Sequence, residues 1–177
     1  GERFRDSADN QDTCRKELKH IRYADRTVLC LDGEKIIDLK ERLKARSLLT
    51  GLLTNLLVVE HLGQESIVDI LFTKWDKLLT SEKASQHQAF VEQTEQMIQA
   101  EFGTRLGLLT SYRVAARPDE SSGLNLCHQM GDMLSRWMAP PAAIATPPLR
   151  FSVPNDLRES ERYLYRRLPQ YVAKKEP

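Results

Sequence analysis

Residues 67–76 read Ile-Val-Asp-Ile-Leu-Phe-Thr-Lys-Trp-Asp, and this stretch decides the fold. The run from Ile67 to Phe72 is apolar except for Asp69, and it ends abruptly at the polar Thr73-Lys74. A short, nearly continuous apolar run reads as a strand buried on both faces, which is the mark of a parallel sheet. Thr27 to Leu31 (Thr-Val-Leu-Cys-Leu) repeats the pattern and is broken by Asp32-Gly33. Leu108 to Val114 offers a third, more mixed strand.

Helical periodicity fills the intervals. Cys14, Leu18 and Ile21 fall on one stripe of a helix capped by Asp12 or Thr13 and running to about Tyr23. From about Ile36 to His61 the leucine-rich pattern (Ile37, Leu39, Leu43, Leu48, Leu49, Leu52, Leu53, Leu56, Leu57) predicts a long helix. Gly51 would interrupt it and Gly63 would cap it. Ser85 to Phe102 carries the stripe Phe90, Val91, Thr94, Met97, Ile98, Phe102, with Gly103 as its stop. A last helix is predicted from Leu124 to Met138, with Leu126, Cys127, Met130, Met133, Leu134 and Trp137 facing the core. The opening, Gly1 to Asp12, reads as polar and irregular. Strand, helix, strand, helix, strand, helix predicts an α/β fold with a parallel sheet. Pro140-Pro141 and Pro147-Pro148 mark residues 140–148 as a Pro-rich linker and 149–177 as a separate C-terminal extension. In that extension Phe151 and Val153 suit an edge strand, and Asp156 to Leu168 a short helix of mixed charge.

Composition excludes several classes. With 26 Lys plus Arg against 25 Asp plus Glu, no overall field favours nucleic acid or an anionic membrane. The three cysteines, Cys14, Cys30 and Cys127, match neither a disulfide framework nor a zinc pattern and suit a reducing cytosol, so a cytoplasmic location is expected. No apolar run approaches the roughly 18 residues of a membrane span. The chain opens on Gly1 rather than Met, which reads as a processing boundary or the first residue of a fragment.

Thr73-Lys74-Trp75-Asp76, entered from an apolar strand, resembles the guanine-specificity motif of P-loop GTPases. A carboxylate at its fourth position can accept both the ring N–H and the exocyclic amine of guanine, an arrangement adenine cannot supply. By that resemblance Asp76 reads the base, the Lys74 stem lies along it, and Thr73 ties the loop to its neighbours. Val114-Ala115-Ala116, one helix later, stands where such proteins place the small-residue loop that offers a backbone N–H to guanine O6. Gly1-Glu2-Arg3-Phe4 resembles the start of the second switch, with Gly1 as its glycine and Glu2 just beyond. With Leu31-Asp32-Gly33-Glu34-Lys35, these features look most like the bacterial double-GTPase group of the TRAFAC class.

The resemblance covers residues 1–139 and implies a P-loop GTPase-like three-layer sandwich whose N-terminal half is absent from this chain. No Gly-x-x-x-x-Gly-Lys-Ser/Thr loop occurs in the 177 residues. The first switch and the metal-binding aspartate are missing too. GTP or GDP with Mg²⁺ is therefore implied as cofactor of the complete protein and not of this chain alone, which should not hydrolyse GTP. Two partners follow: guanine nucleotide, and either the missing N-terminal half or another protein. The competing reading is a non-catalytic module, a degenerate or truncated G-domain kept for protein interaction. A third is a generic α/β domain in which Thr-Lys-Trp-Asp is accidental.

Other constellations carry less. His20, His61, His87 and His128 are dispersed, so no metal site is expected. Ser111 lacks the Gly-x-Ser-x-Gly of a hydrolase nucleophile. Trp75 either packs against the next helix or stacks on a base or partner. The Met and Trp stripe of the last helix reads as core or as a partner groove. The arginines Arg158, Arg162, Arg166 and Arg167 interleave with acids, giving a solvated face or a docking surface.

Overall fold

Three parallel strands stand in the order β1-β2-β3: Thr27–Asp32, Ile67–Thr73 and Leu108–Arg113. The computed structural model describes residues 2–139, so the linker, the extension and Gly1 lie outside the described residues. The chain divides into two compact units, residues 1–136 and 137–177, and the second is described only at residues 137–139. The expected α/β fold with a parallel sheet is present.

Register pairs Leu29 with Ile70 and Ile70 with Ser111. Side chains alternate faces along each strand. Leu29, Leu31, Val68, Ile70 and Phe72 thereby enter one apolar cluster with Leu52, Leu53 and Leu56 of α4 (Leu39–Val58) and Phe90, Val91 and Ile98 of α6 (Ala84–Phe102). On that face Ser111 Oγ donates to Glu95 of α6 at 2.9 Å. On the other face the Arg136 guanidinium of α7 (Met130–Met138) lies 5.9 Å from the Tyr112 ring centre. Asp69, the one charge in the β2 run, is fully buried and accepts from Arg26 Nη1 at 2.6 Å.

Several local expectations are corrected by chemistry that short spacing does not carry. The opening is not irregular: Glu2–Asp9 forms α1 and packs on α4. Asn55 Nδ2 of α4 donates to Ser7 O and Ala8 O, both at 2.9 Å, satisfying carbonyls that a helix end leaves open. Gly51 does not interrupt α4. A Cβ there would lie 2.9 Å from Ala8 O, so this glycine is what lets α1 approach. Asn10, not Asp12 or Thr13, caps α2 (Gln11–Glu17), and a 3-10 turn, Lys19–Tyr23, finishes that segment.

The predicted helix from Ile36 is divided at Asp38, whose carboxylate accepts from Lys40 N at 2.7 Å and Glu41 N at 3.2 Å. These two bonds hold its pKa below the usual value and start α4 afresh after α3 (Gly33–Ile37). Leu39 and Leu43 stay exposed rather than joining the core. Gly63 is not the cap of α4. Glu60 takes the left-handed position (φ 58°), with His61 N on Leu56 O and Glu60 N on Leu57 O closing the end. The last predicted helix begins only at Met130, because Cys127 and Gln129 sit at φ 57° and 55° and cannot continue a helix. Leu126 is consequently exposed and Met133 alone of the expected stripe is fully buried.

Candidate functional site

Parallel strands deliver their following loops to one edge, and in open α/β sheets that C-terminal edge is where ligands sit. Thr73 closes β2, and Lys74 turns through left-handed backbone (φ 52°, ψ 42°) into α5 (Trp75–Thr80). The turn puts Asp76 in the first turn of α5, only 5% exposed. Trp75 N donates to Val114 O at 3.1 Å, and Val114 N to Phe72 O at 2.9 Å. The Thr73–Asp76 loop and the Val114–Ala116 loop, separated in sequence by α6, are thus stitched together by backbone bonds.

Asp76 Oδ2 meets only Asp119 N, at a long 3.4 Å, and among the described residues no donor reaches its Oδ1. Asp119 is held in turn by Lys77 Nζ at 2.8 Å. Thr73 Oγ1 donates to Leu31 O at 3.3 Å, tying the loop to the end of β1. Val114 and Ala115 are buried, Ala116 is exposed, and Ala116 O accepts from Cys127 N at 3.3 Å. Trp75 is 5% exposed and carries the Arg113 guanidinium 5.1 Å from its ring centre, so it packs instead of standing open to a base.

Lys74 is already engaged. Its Nζ lies 2.8 Å from Glu34 Oε2 and 3.2 Å from Asp32 Oδ2, and the bonds to Glu34 and then Asp32 raise its pKa above the ordinary lysine value. Asp32 uses its other oxygen to cap α3, accepting from Glu34 N at 3.1 Å. The two loops can mate only because residue 33 is glycine. A Cβ there would lie 2.5 Å from Thr73 O and 2.8 Å from Lys74 O. Sequence reasoning misses Asp32 and Glu34 as partners of Lys74. The available signal was Asp-Gly at the end of an apolar strand, a position that shares the C-terminal edge with Lys74.

Among the expected site residues, Thr73, Lys74, Asp76, Val114, Ala115 and Ala116 come together at this edge. Glu2 supplies backbone to α1, and Gly1 lies outside the described residues. Among the described residues Asp76 keeps one carboxylate oxygen that can accept a hydrogen bond. Among the described residues no group of three or more His, Cys, Asp or Glu could hold a metal ion.

The family model of Double-GTPase 2 matches residues 1–138. The chain belongs to the Double-GTPase 2 family. No curated protein and no solved structure matches it. Membership ties this Double-GTPase 2 chain to the GTPases, a class defined by guanine nucleotide and Mg²⁺. Among the described residues no helix is long and apolar enough to cross a membrane.

Proposed function

We propose that this chain carries the guanine-recognition half of a GTP-driven switch, and that the phosphate-holding half is supplied by other polypeptide. One observation carries the reading: the Thr73–Asp76 and Val114–Ala116 loops are joined through Trp75 N and Val114 O, with one Asp76 carboxylate oxygen left without a donor among the described residues. Asp76 would accept the ring N–H and amine of guanine, Lys74 would lie along the base, and a backbone N–H of the Val114–Ala116 group would meet O6. Thr73 anchors the loop through Leu31 O. Gly1 and Glu2 would begin the second switch. In the complete protein GTP with Mg²⁺ supplies the phosphate charge whose loss on hydrolysis releases a switch segment. Alone, this chain would bind nucleotide weakly and not hydrolyse it.

The unfinished side of the sheet supports the claim of a missing half. Among the described residues β2 is paired on both sides, while β1 and β3 are each paired on one. Beside β1 a cavity of about 840 Å³ opens against Leu48, Leu49 and Leu52 of α4 and Phe4 of α1, and Cys30 on the strand is exposed. A parallel strand with an open edge beside such a cavity is a seat for another strand.

The test is titration of the natural full-length protein with fluorescent GDP and XDP in the presence of Mg²⁺. Asp76→Asn should weaken GDP about tenfold to a hundredfold, the loss of a charge-assisted hydrogen bond, and should favour XDP, because an amide exchanges an acceptor for a donor. Unaltered guanine preference would remove Asp76 from the site. Absence of any nucleotide binding would leave the second reading, a non-catalytic interaction module. That reading is favoured by one observation, the engagement of Lys74 by Asp32 and Glu34.

A further inference from the structure

Away from the base-reading loops, α4 and α6 bring together positive charge that no carboxylate among the described residues pairs with. Arg42 and Arg46, one turn apart on α4, both stack on the Phe90 ring of α6, at 5.0 and 5.1 Å from its centre. Like charges at this spacing repel on a helix surface, so the pair is unfavourable unless something compensates it. Neither arginine, nor Lys83 at the start of α6, has a carboxylate within ion-pair distance among the described residues. The other face of the cluster is His87, one turn before Phe90 on α6 and 3% exposed. Its Nδ1 is buried without a hydrogen-bond partner among the described residues, and so is Nε of Arg42. Lys83 lies one turn before His87, whose backbone N–H donates to Lys83 O at 3.1 Å, and burial, then the charges of Arg42 and Lys83, hold the His87 pKa below the ordinary value.

Buried polar groups are nearly always paired, and the unpartnered Nε–H of Arg42 is a donor that an acceptor-only ligand would satisfy. Guanidinium forks match the oxygens of a phosphate group geometrically, and two on one aromatic ring form a fixed platform. We propose that Arg42, Arg46 and His87, with Lys83 at the rim, form an oxyanion site on the α4–α6 surface that takes a phosphate group. The site shares no residue with Thr73–Asp76 or Val114–Ala116, so it stands or falls independently of guanine recognition. The phosphate comes either from free inorganic phosphate or from a nucleotide.

The four histidine rings of the 177-residue chain provide the reporter. Their ¹H–¹³C signals are followed during titration with inorganic phosphate, at ionic strength matched with sodium chloride, and separately with GDP. The expected result is a saturable shift of His87 that His20, His61 and His128 do not share. Arg42→Gln with Arg46→Gln should weaken it at least tenfold, Lys83→Gln two- to threefold, and Arg22→Gln on a different element not at all. Circular dichroism confirms that each variant is folded, and the exposed Lys83→Gln keeps the test decisive if the double variant is not. Equal apparent affinity for phosphate and GDP identifies the free ion as ligand, and a tighter GDP response that Arg42→Gln with Arg46→Gln weakens and Asp76→Asn does not identifies the nucleotide. A shift that is linear, common to all four rings, or undiminished in the arginine and lysine variants overturns the site.

Discussion

The two flanks of the sheet are built to different standards of completion. At the β2–β3 side, Phe72, Trp75, Asp76, Val114 and Ala115 are buried, and two backbone bonds lock one loop to the next. At the β1 side a strand of the same apolar character borders a cavity of about 840 Å³ and leaves Cys30 exposed. Apolar content alone does not explain the contrast, since Thr-Val-Leu-Cys-Leu is nearly as apolar as Ile-Val-Asp-Ile-Leu-Phe. What differs is the loops: those after β2 and β3 are joined by backbone bonds, whereas β1, like β3 an edge strand among the described residues, borders the cavity. Leu29 and Leu31 of β1 are buried, so what stays open on that flank is the position of Cys30 and the cavity beside it.

The largest expected effect tests that contrast by truncation. Phe72→Ala should cost about 3–5 kcal/mol in urea unfolding, because it removes a fully buried ring from a packed cluster. Cys30→Ala, on the adjacent strand of the same sheet, should stay within about 0.5 kcal/mol, as for an ordinary surface change. A cost at Cys30 of the size expected for a core residue would mean that the β1 flank is already covered, and the comparison would fail.

Gly33→Ala probes the seam where the two flanks meet. The added Cβ would press on Thr73 O, Lys74 O and Leu78 Cδ1, at 2.5, 2.8 and 2.7 Å, and two of these are backbone atoms with little room to yield. Overpacking of this kind costs about 1–3 kcal/mol. Thermal unfolding should show that loss, and GDP affinity of the full-length protein should fall with it, because Lys74 and Thr73 belong to the displaced loop. Destabilisation with unaltered GDP affinity would detach the β1 end from base recognition.

How far these regions were legible in the sequence follows the same division. The three strands were readable because a continuous apolar run bounded by polar residues has few other interpretations. The union of Thr73–Asp76 with Val114–Ala116 followed from chain order, since each lies at the end of a strand in one parallel sheet. Features decided by single hydrogen bonds or by distant contacts were not readable. Asp38 divides a helix through two backbone N–H bonds, Glu60 occupies a position usually given to glycine, and Gly51 is explained only by Ala8, which lies far from it in sequence. The Lys74–Glu34–Asp32 clasp was hidden for the same reason, as it joins residues about forty positions apart.

That clasp is where the smallest effect is expected, and it is also the only side-chain ion pairing seen between the β1 and β2 loops among the described residues. Lys74 has its pKa raised in the folded state, by Glu34 first and Asp32 second. A raised cation contributes stability that is fully present below the unfolded lysine value and is lost as pH rises through the folded value. All three side chains are substantially exposed, so the contribution is modest and screened by salt. Melting curves of the chain and of Glu34→Gln should therefore differ slightly at neutral pH and low salt, and converge both in concentrated sodium chloride and at strongly alkaline pH. If instead the gap persisted under both conditions, Glu34 would be acting through the packing of α3, and the two flanks would be joined by the close approach at Gly33 alone.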